Sequence, residues 1–181
     1  QIADDDALVR LEAIVAASYV PGGAKIAVRA LDKDFNAYHL HALTKTLHAT
    51  NAQWSTKLDF EKDEHLIFAL QNGWMENNPD DLKNLSGAPV AYKPNTGGKA
   101  AAIMRDQVTR HEGNPERQTT WLKALAAVAN VDDVPFIFER GGQNTAVLAA
   151  LRSAKPQNAE TLLKPLFESQ NPALRAQSIR L

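Results

Sequence analysis

Along this chain apolar residues recur at i, i+3, i+4 and i+7 in window after window, the spacing that lays one stripe along one face of a 3.6-residue helix. Ala24, Ala27, Val28 and Leu31 follow it, as do Leu122, Leu125, Ala126 and Ala129. Leu11, Ile14 and Val15 with Ser18 or Tyr19 make a third case, and Leu163, Leu166 and Phe167 a shorter fourth. No comparable run alternates with the period of two that a half-buried strand requires. The pattern predicts helices near 7–20, 23–32, 36–50, 61–72, 97–112, 115–130, 132–140, 143–153, 157–169 and from 172 onward. The expected fold class is all-α.

The residues between the stripes agree. Asp4 to Asp6, Asp34, Asn114-Pro115 and Asn171-Pro172 supply acceptor side chains at helix starts, with the prolines where a missing N–H costs nothing. The acidic pairs Asp80-Asp81 and Asp132-Asp133 also stand at predicted helix starts and read as complements to the helix dipole rather than as catalytic carboxylates. Gly73, Gly113 and Gly141 follow helical runs and suit left-handed closing turns. Pro165 should kink or restart its helix. From Gly73 to Asn95 three prolines and little periodicity mark a connection with one short helix at Asp80 to Leu85, the best candidate for a seam in a domain that otherwise runs over 1–181.

Short paired helices suggest repeats. "ALVRLEAI" from Ala7 aligns with "PALRAQSI" from Pro172, setting Arg10 over Arg175, Val9 over Leu174 and Ile14 over Ile179. In HEAT-type repeats an acidic residue or Asn before a helix, then an apolar-Arg step and a small residue, provide a cap, a solvent-reaching cation and a close helix contact. Such units run about 40–47 residues. Gly-Gly pairs at 22–23, 97–98 and 141–142 each precede an Ala-rich helix, and the step from 97 to 141 matches one unit. The expected architecture is a HEAT-like α-α superhelix of stacked antiparallel helix pairs.

Composition narrows function by exclusion. The 181 residues are 44% apolar and 23% charged with a formal charge of -1, so no global positive field draws the chain to nucleic acid or anionic lipid. The absence of cysteine removes disulfides, thiolate metal sites, cysteine nucleophiles and thioether-bound haem. No stretch approaches the roughly 20 apolar residues of a membrane span, and the N-terminus is not built like a signal peptide. The chain starts without Met and stops within an apolar helical pattern, so it is expected to be a piece of a longer polypeptide.

Candidate chemistry is sparse. Gly97-Gly98-Lys99 resembles part of a phosphate loop, but Lys93 stands where the leading Gly belongs and Ala100 replaces the hydroxyl that would meet Mg²⁺, so it reads as an inter-helix turn. Of the five histidines, His39 and His41 point to nearly opposite faces of one helix, whereas His41 and His48 share a face; His65 and His111 stand alone. None has zinc-ligand spacing, and no metal or cofactor is expected. Trp121 lies in a regular amphipathic helix and reads as core, while Trp54 and Trp74 stand near helix ends, where each either leans on a neighbouring loop or is a candidate partner contact.

A more specific likeness covers Val9 to Trp54, "VRLEAIVAASYVPGGAKIAVRALDKDFNAYHLHALTKTLHATNAQW". It resembles the helical region of large exported planctomycete-type proteins known as membrane-bound or haem-binding dehydrogenases, with Leu31-Asp32, Tyr38, Leu40, Ala42-Leu43, Thr46-Leu47 and Trp54 in matching places. The resemblance implies a parent with a sugar-dehydrogenase-like propeller upstream and a c-type cytochrome downstream, in the periplasm or otherwise exported. This piece would be a non-enzymatic scaffold or protein-interaction module between them, binding a protein partner or neighbouring domains, without nucleic acid or membrane insertion. Two rivals share the architecture: a HEAT-like tetrapyrrole-binding protein or lyase using His41, His48 and Tyr38, and a HEAT-like DNA glycosylase, which the neutral charge disfavours.

Overall fold

The computed structural model describes residues 1–74, 98–142 and 144–153, together with Lys164, residues 167–170, Pro172, Arg175, Ala176 and Ile179. The expected helix at Asp80–Leu85, most of the 73–95 connection, Asn171, Pro165 and nearly all of the last two expected helices lie outside these residues. Among the described residues every regular element is helical. The chain divides into two compact units, Gln1–Asn95 and Thr96–Leu181.

In the first unit α1 spans Ala7–Ala17, α2 Gly23–Ala27, α3 Ala37–Ala49, α4 Asn51–Trp54 and α5 Asp63–Asn72. The single helix expected over 23–32 is α2 followed by a 3₁₀ turn, Val28–Asp32. Asp6 starts α1 as the sequence implies: its carboxylate accepts the Leu8 N–H at 2.8 Å. At α3 the cap is Asn36 rather than Asp34. The Asn36 side chain accepts the Tyr38 and His39 N–H groups, and His39 Nδ1 accepts the Asn36 N–H at 3.3 Å. The two orphan ends of a helix start are thus satisfied reciprocally, with imidazole in the place Glu or Gln usually takes.

Gly22 and Gly23 are needed for two different reasons. Gly22 has φ 72°, a left-handed conformation that costs a side chain, and it opens α2. Gly23 has ordinary backbone angles, but a Cβ there would stand 1.7 Å from the Ala17 carbonyl oxygen. Gly73 is likewise a matter of space and not of handedness: its Cβ would lie 2.4 Å from the Leu47 Cβ. The left-handed closing turns expected at Gly73, Gly113 and Gly141 are not formed, for among the described glycines only Gly22 and Gly98 have positive φ.

Neighbouring elements of this unit are tied at a nearly constant sequence offset. Between α1 and α3, His39 Nε2 meets the Ala7 carbonyl at 2.9 Å and Thr46 Oγ1 donates to the Ile14 carbonyl at 2.9 Å, both 32 residues apart. The two helices therefore lie side by side and parallel. The same sense joins the α2 region to the approach and start of α5: Arg29 pairs with Glu61, 32 residues on, and His65 Nε2 meets Asp32 Oδ1 at 3.1 Å, 33 residues back. Ile14, Leu43, Leu47, Leu66 and Leu70 fill the interior between them.

The second unit contains α6 Gly98–Arg110, α7 Pro115–Val128, a 3₁₀ turn Val131–Asp133, α8 Val134–Gly141 and α9 Thr145–Ser153. Asn114 caps α7 by accepting the Arg117 N–H at 3.1 Å, with Pro115 in the first turn. Trp121, Leu122, Leu125 and Val128 on α7 are buried with Met104, Ile137 and Val147, so Trp121 is core as its helix pattern implied. Arg105 on α6 pairs with Asp133, and Arg140 on α8 with Glu112, both 28 residues apart. Asp133 is fully buried and also accepts the Asn130 N–H at 3.1 Å. Asp132 and Asp133 stand in the first turn of the 3₁₀ helix, and Asp133 is the residue before α8, as expected of acids at helix starts, but its carboxylate makes no cap hydrogen bond to α8 and serves as a buried staple.

The expected 40–47-residue period is not what these bonds follow. Gly98 starts α6 at φ 63°, whereas Gly141 ends α8 buried against Leu122 and Val147, so the step between their Gly pairs spans three helices and not one helix pair.

Candidate functional site

Arg10 departs furthest from its sequence assignment. Expected as a solvent-reaching cation, it is 4% exposed. Its Nη1 donates to the carbonyls of Asp4 at 2.6 Å and Asp5 at 2.9 Å, and its Nη2 to the carbonyl of Asp34 at 2.8 Å. The guanidinium fork ties the entry to α1 to the segment before α3, which Lys could not do with a single compact head. Arg175 repeats part of this contact, donating to the Ser169 carbonyl at 2.6 Å, again six residues back. The alignment of the two segments holds for this bond but not for Ile14 and Ile179, since the first is buried and the second exposed.

The tryptophans separate. Trp54 is 2% exposed; its indole N–H donates to the Leu47 carbonyl at 2.9 Å, and its ring meets Phe60 and Trp74 edge-on at 5.7 Å. Its surface is used within the unit, so it presents nothing to a partner. Trp74 is half-buried against that ring. Lys99, beside the Gly pair that suggested a phosphate, is exposed at the start of α6, and Gly97 lies outside the described residues.

The histidines also divide by face. His39 is buried against the Ala7 carbonyl and stacks on Phe35 at 5.7 Å, and His65 is buried against Asp32. Asp32 also accepts from Lys62 Nζ at 2.7 Å. The Lys62 hydrogen bond, then His65, hold the Asp32 carboxyl below the usual range against the opposing effect of desolvation. Lys33 does the same for Asp5, and Lys25 for Asp59. These pairs sit at the surface, where solvent and salt screen them and their contribution to stability is small. His111 follows the end of α6.

His41 and His48 face elsewhere, into a groove of about 800 Å³ between α1 and α3. Leu11, Val15, Ser18 and Tyr19 form the α1 wall. Tyr38, His41, Lys45 and His48 form the α3 wall, with Ala42 and Ala49 leaving its floor low. Tyr19 is 84% exposed and Tyr38 75%, so the groove is open along its length. Tyr38, His41 and His48, named together from the sequence as a possible tetrapyrrole lining, all line this groove.

The α1 wall was missed in the sequence. At 3.6 residues per turn Leu8 and Val15 fall about 20° apart around α1, Leu11 lies beside them, and Tyr19 continues the stripe into the next turn. Arg10, Ile14 and Ala17 occupy the opposite side and are the buried ones. α1 is thus apolar on two faces, of which only one is covered by its own unit. The available signal was the number of apolar positions: Leu8, Leu11, Ile14, Val15 and Tyr19 are too many for a single stripe of ordinary width.

Among the described residues no three His, Asp or Glu side chains gather as a metal would require, and no helix is long and apolar enough to cross a membrane. Comparison with family models, with curated proteins and with solved structures found no match for this chain.

Proposed function

We propose that this chain is a HEAT-like helical-repeat module that binds a protein partner or a neighbouring domain through the α1–α3 groove and performs no chemistry itself. The observation that carries the reading is the two-sided α1. A helix apolar on both faces needs cover on both, and Val15 and Tyr19 remain open along the groove. The repeat reading is supported by offsets that recur within each unit, 32 residues between the parallel α1 and α3 and 28 for two ion pairs of the second unit. In a repeat array each unit covers the next, and a face left apolar is where the array continues or where another chain docks. The likeness of Val9 to Trp54 to exported dehydrogenase-associated helical regions adds a setting, a spacer between redox modules of a larger protein.

The test is photocrosslinking in the native host, with a photoreactive residue at Tyr38 or Tyr19 and, as control, at the exposed Ile26 on α2. Discrete adducts to one protein or to another part of the same polypeptide are expected from the groove positions only. Equal labelling from all three, or none, refutes the reading.

A second reading draws on one observation, that Tyr38, His41 and His48 line one groove. It is a tetrapyrrole site, with imidazole for the iron and Lys45 for a propionate. A Soret shift on titrating hemin into the purified chain, lost in the His41→Ala/His48→Ala double variant, supports it; no shift removes it.

A further inference from the structure

The end of α5 sets two residues side by side for separate structural reasons, and together they carry a chemistry that neither has alone. Asn72 closes the helix: its side-chain amide donates to the Phe68 carbonyl at 3.1 Å, one of the acceptors that a helix end leaves without a partner. Gly73 follows because the fold leaves no room for a side chain there, with the Leu47 Cβ on α3 standing 2.4 Å from where its own Cβ would be. The result is the only Asn-Gly dipeptide in the sequence. Without a Cβ on the second residue, the path from its backbone nitrogen to the asparagine side chain is unobstructed.

We propose that Asn72 is a deamidation site whose reaction is gated by opening of the last turn of α5. The Gly73 nitrogen attacks Cγ of the Asn72 side chain, and a C–N bond forms as that nitrogen gives up its proton to solvent. The Cγ–Nδ2 bond breaks and Nδ2 leaves as ammonia. Water then opens the succinimide ring at one carbonyl or the other, giving aspartate or isoaspartate without any oxidant or reductant. In the closed helix the path is shut. The Gly73 N–H is engaged with the Ala69 carbonyl at 2.8 Å, the Gly73 carbonyl accepts from Asn51 Nδ2 at 3.3 Å, and the Asn72 amide is held on Phe68. Gly73 itself is buried. Only an opened turn frees both reacting groups, and helix ends open locally at a fraction of the cost of global unfolding. The products do not fit back. A carboxylate in place of the Asn72 amide has no hydrogen to offer the Phe68 carbonyl and adds negative charge at the negative end of the helix dipole. Isoaspartate inserts a methylene into the main chain where Gly73 packs on Leu47. Conversion therefore loosens the joint between α5 and α3.

Isoaspartate is followed by isoaspartyl methyltransferase labelling and peptide mapping in the whole chain at mildly alkaline pH, beside a free peptide of residues 70–76. The folded chain is expected to convert ~10–1000-fold more slowly than the peptide, and urea below the unfolding midpoint should narrow the gap as it opens the turn. Asn72→Gln should erase the label, because the longer side chain must close a six-membered ring. Asn72→Asp, which imitates one product, should lower the urea midpoint by at least ~0.3 M, read by circular dichroism. A folded-state rate matching the peptide's overturns the gate, and one more than ~1000-fold slower overturns the site. Label that persists in Asn72→Gln moves the reaction to another residue and equally refutes it. An Asn72→Asp chain as stable as wild type overturns the loosening of the α5 end.

Discussion

Arg10 offers the sharpest test of how the first unit is held together. It is 4% exposed and donates three hydrogen bonds to main-chain carbonyls on two segments, Asp4 and Asp5 before α1 and Asp34 before α3, which the exposed Lys33–Asp5 pair also joins. Hydrogen bonds involving a charged group contribute about 1.5–3 kcal/mol each when isolated. All three acceptor residues are exposed, so water recovers part of each carbonyl's interaction when the guanidinium is gone. Arg10→Met keeps most of the buried stem and should therefore destabilise the unit by about 3 kcal/mol, well below the sum of three full bonds. Arg10→Lys should fare no better, because an ammonium reaching one carbonyl is left under-solvated in the same place. Urea unfolding followed by tryptophan fluorescence in a Trp121→Phe background reports the first unit through Trp54 and Trp74. With a slope of about 1–3 kcal/mol/M the midpoint should fall by about 1–3 M. Arg175→Met is the matched contrast: its bond to Ser169 is exposed, and the expected loss is under about 0.5 kcal/mol. If both Arg10 variants shift the midpoint by less than ~0.3 M, the three carbonyl contacts are not what joins these segments and the account of Arg10 fails.

Three further outcomes follow from the same geometry. Gly23→Ala should cost more than about 3 kcal/mol or prevent folding, because its Cβ meets the rigid Ala17 carbonyl, whereas Gly22→Ala should cost about 1 kcal/mol of backbone strain; thermal melts of the two side by side distinguish close approach from handedness. Trp54→Phe should lose about 1–2 kcal/mol, since the ring contacts largely survive while the Leu47 carbonyl loses its donor, and Trp54→Ala about 3–5 kcal/mol; if both equal wild type in urea, Trp54 is not core. The depressed carboxyl of Asp32 stabilises the fold at pH values above the ordinary aspartate pKa of about 3.9, and that contribution is lost as pH falls through the lower folded-state value. Asp32→Asn should therefore narrow the stability difference between pH 5 and pH 2, by a small amount for an exposed pair, and an unchanged acid profile would contradict it.

How much of this was legible depended on whether the cause was local. Asp6 and Asn114 cap their helices as the sequence implied because a cap is a bond between a side chain and N–H groups two or three residues away. Asn36 could be seen as polar, but that His39 would complete its capping box could not, since imidazole is not the usual partner. The Gly pairs were visible as breaks, while their reasons were not: whether a glycine is there for φ, as at Gly22, or for the absence of a Cβ, as at Gly23 and Gly73, depends on which atoms of a distant turn arrive beside it. A tryptophan at a helix end can lean on a neighbouring loop or face a partner, and Trp54 does the former because Phe60 and Trp74 come back over it. At the candidate site the α3 face was readable from the spacing of His41 and His48, two turns apart on one helix. The α1 wall was hidden, because a periodic pattern shows that a helix has apolar residues and not which of two stripes its own fold will bury.

Periodicity, caps and the absence of alternating runs determined by themselves that this protein is built of helices, and roughly where each begins, because helix hydrogen bonds close within four residues of sequence. Tertiary structure alone decided that α1 and α3 lie parallel at an offset of 32 residues, that Arg10 and Asp133 are buried staples, and that one apolar face of α1 lines a groove against α3. Those outcomes turn on which surfaces meet across tens of residues, and no local pattern encodes the meeting.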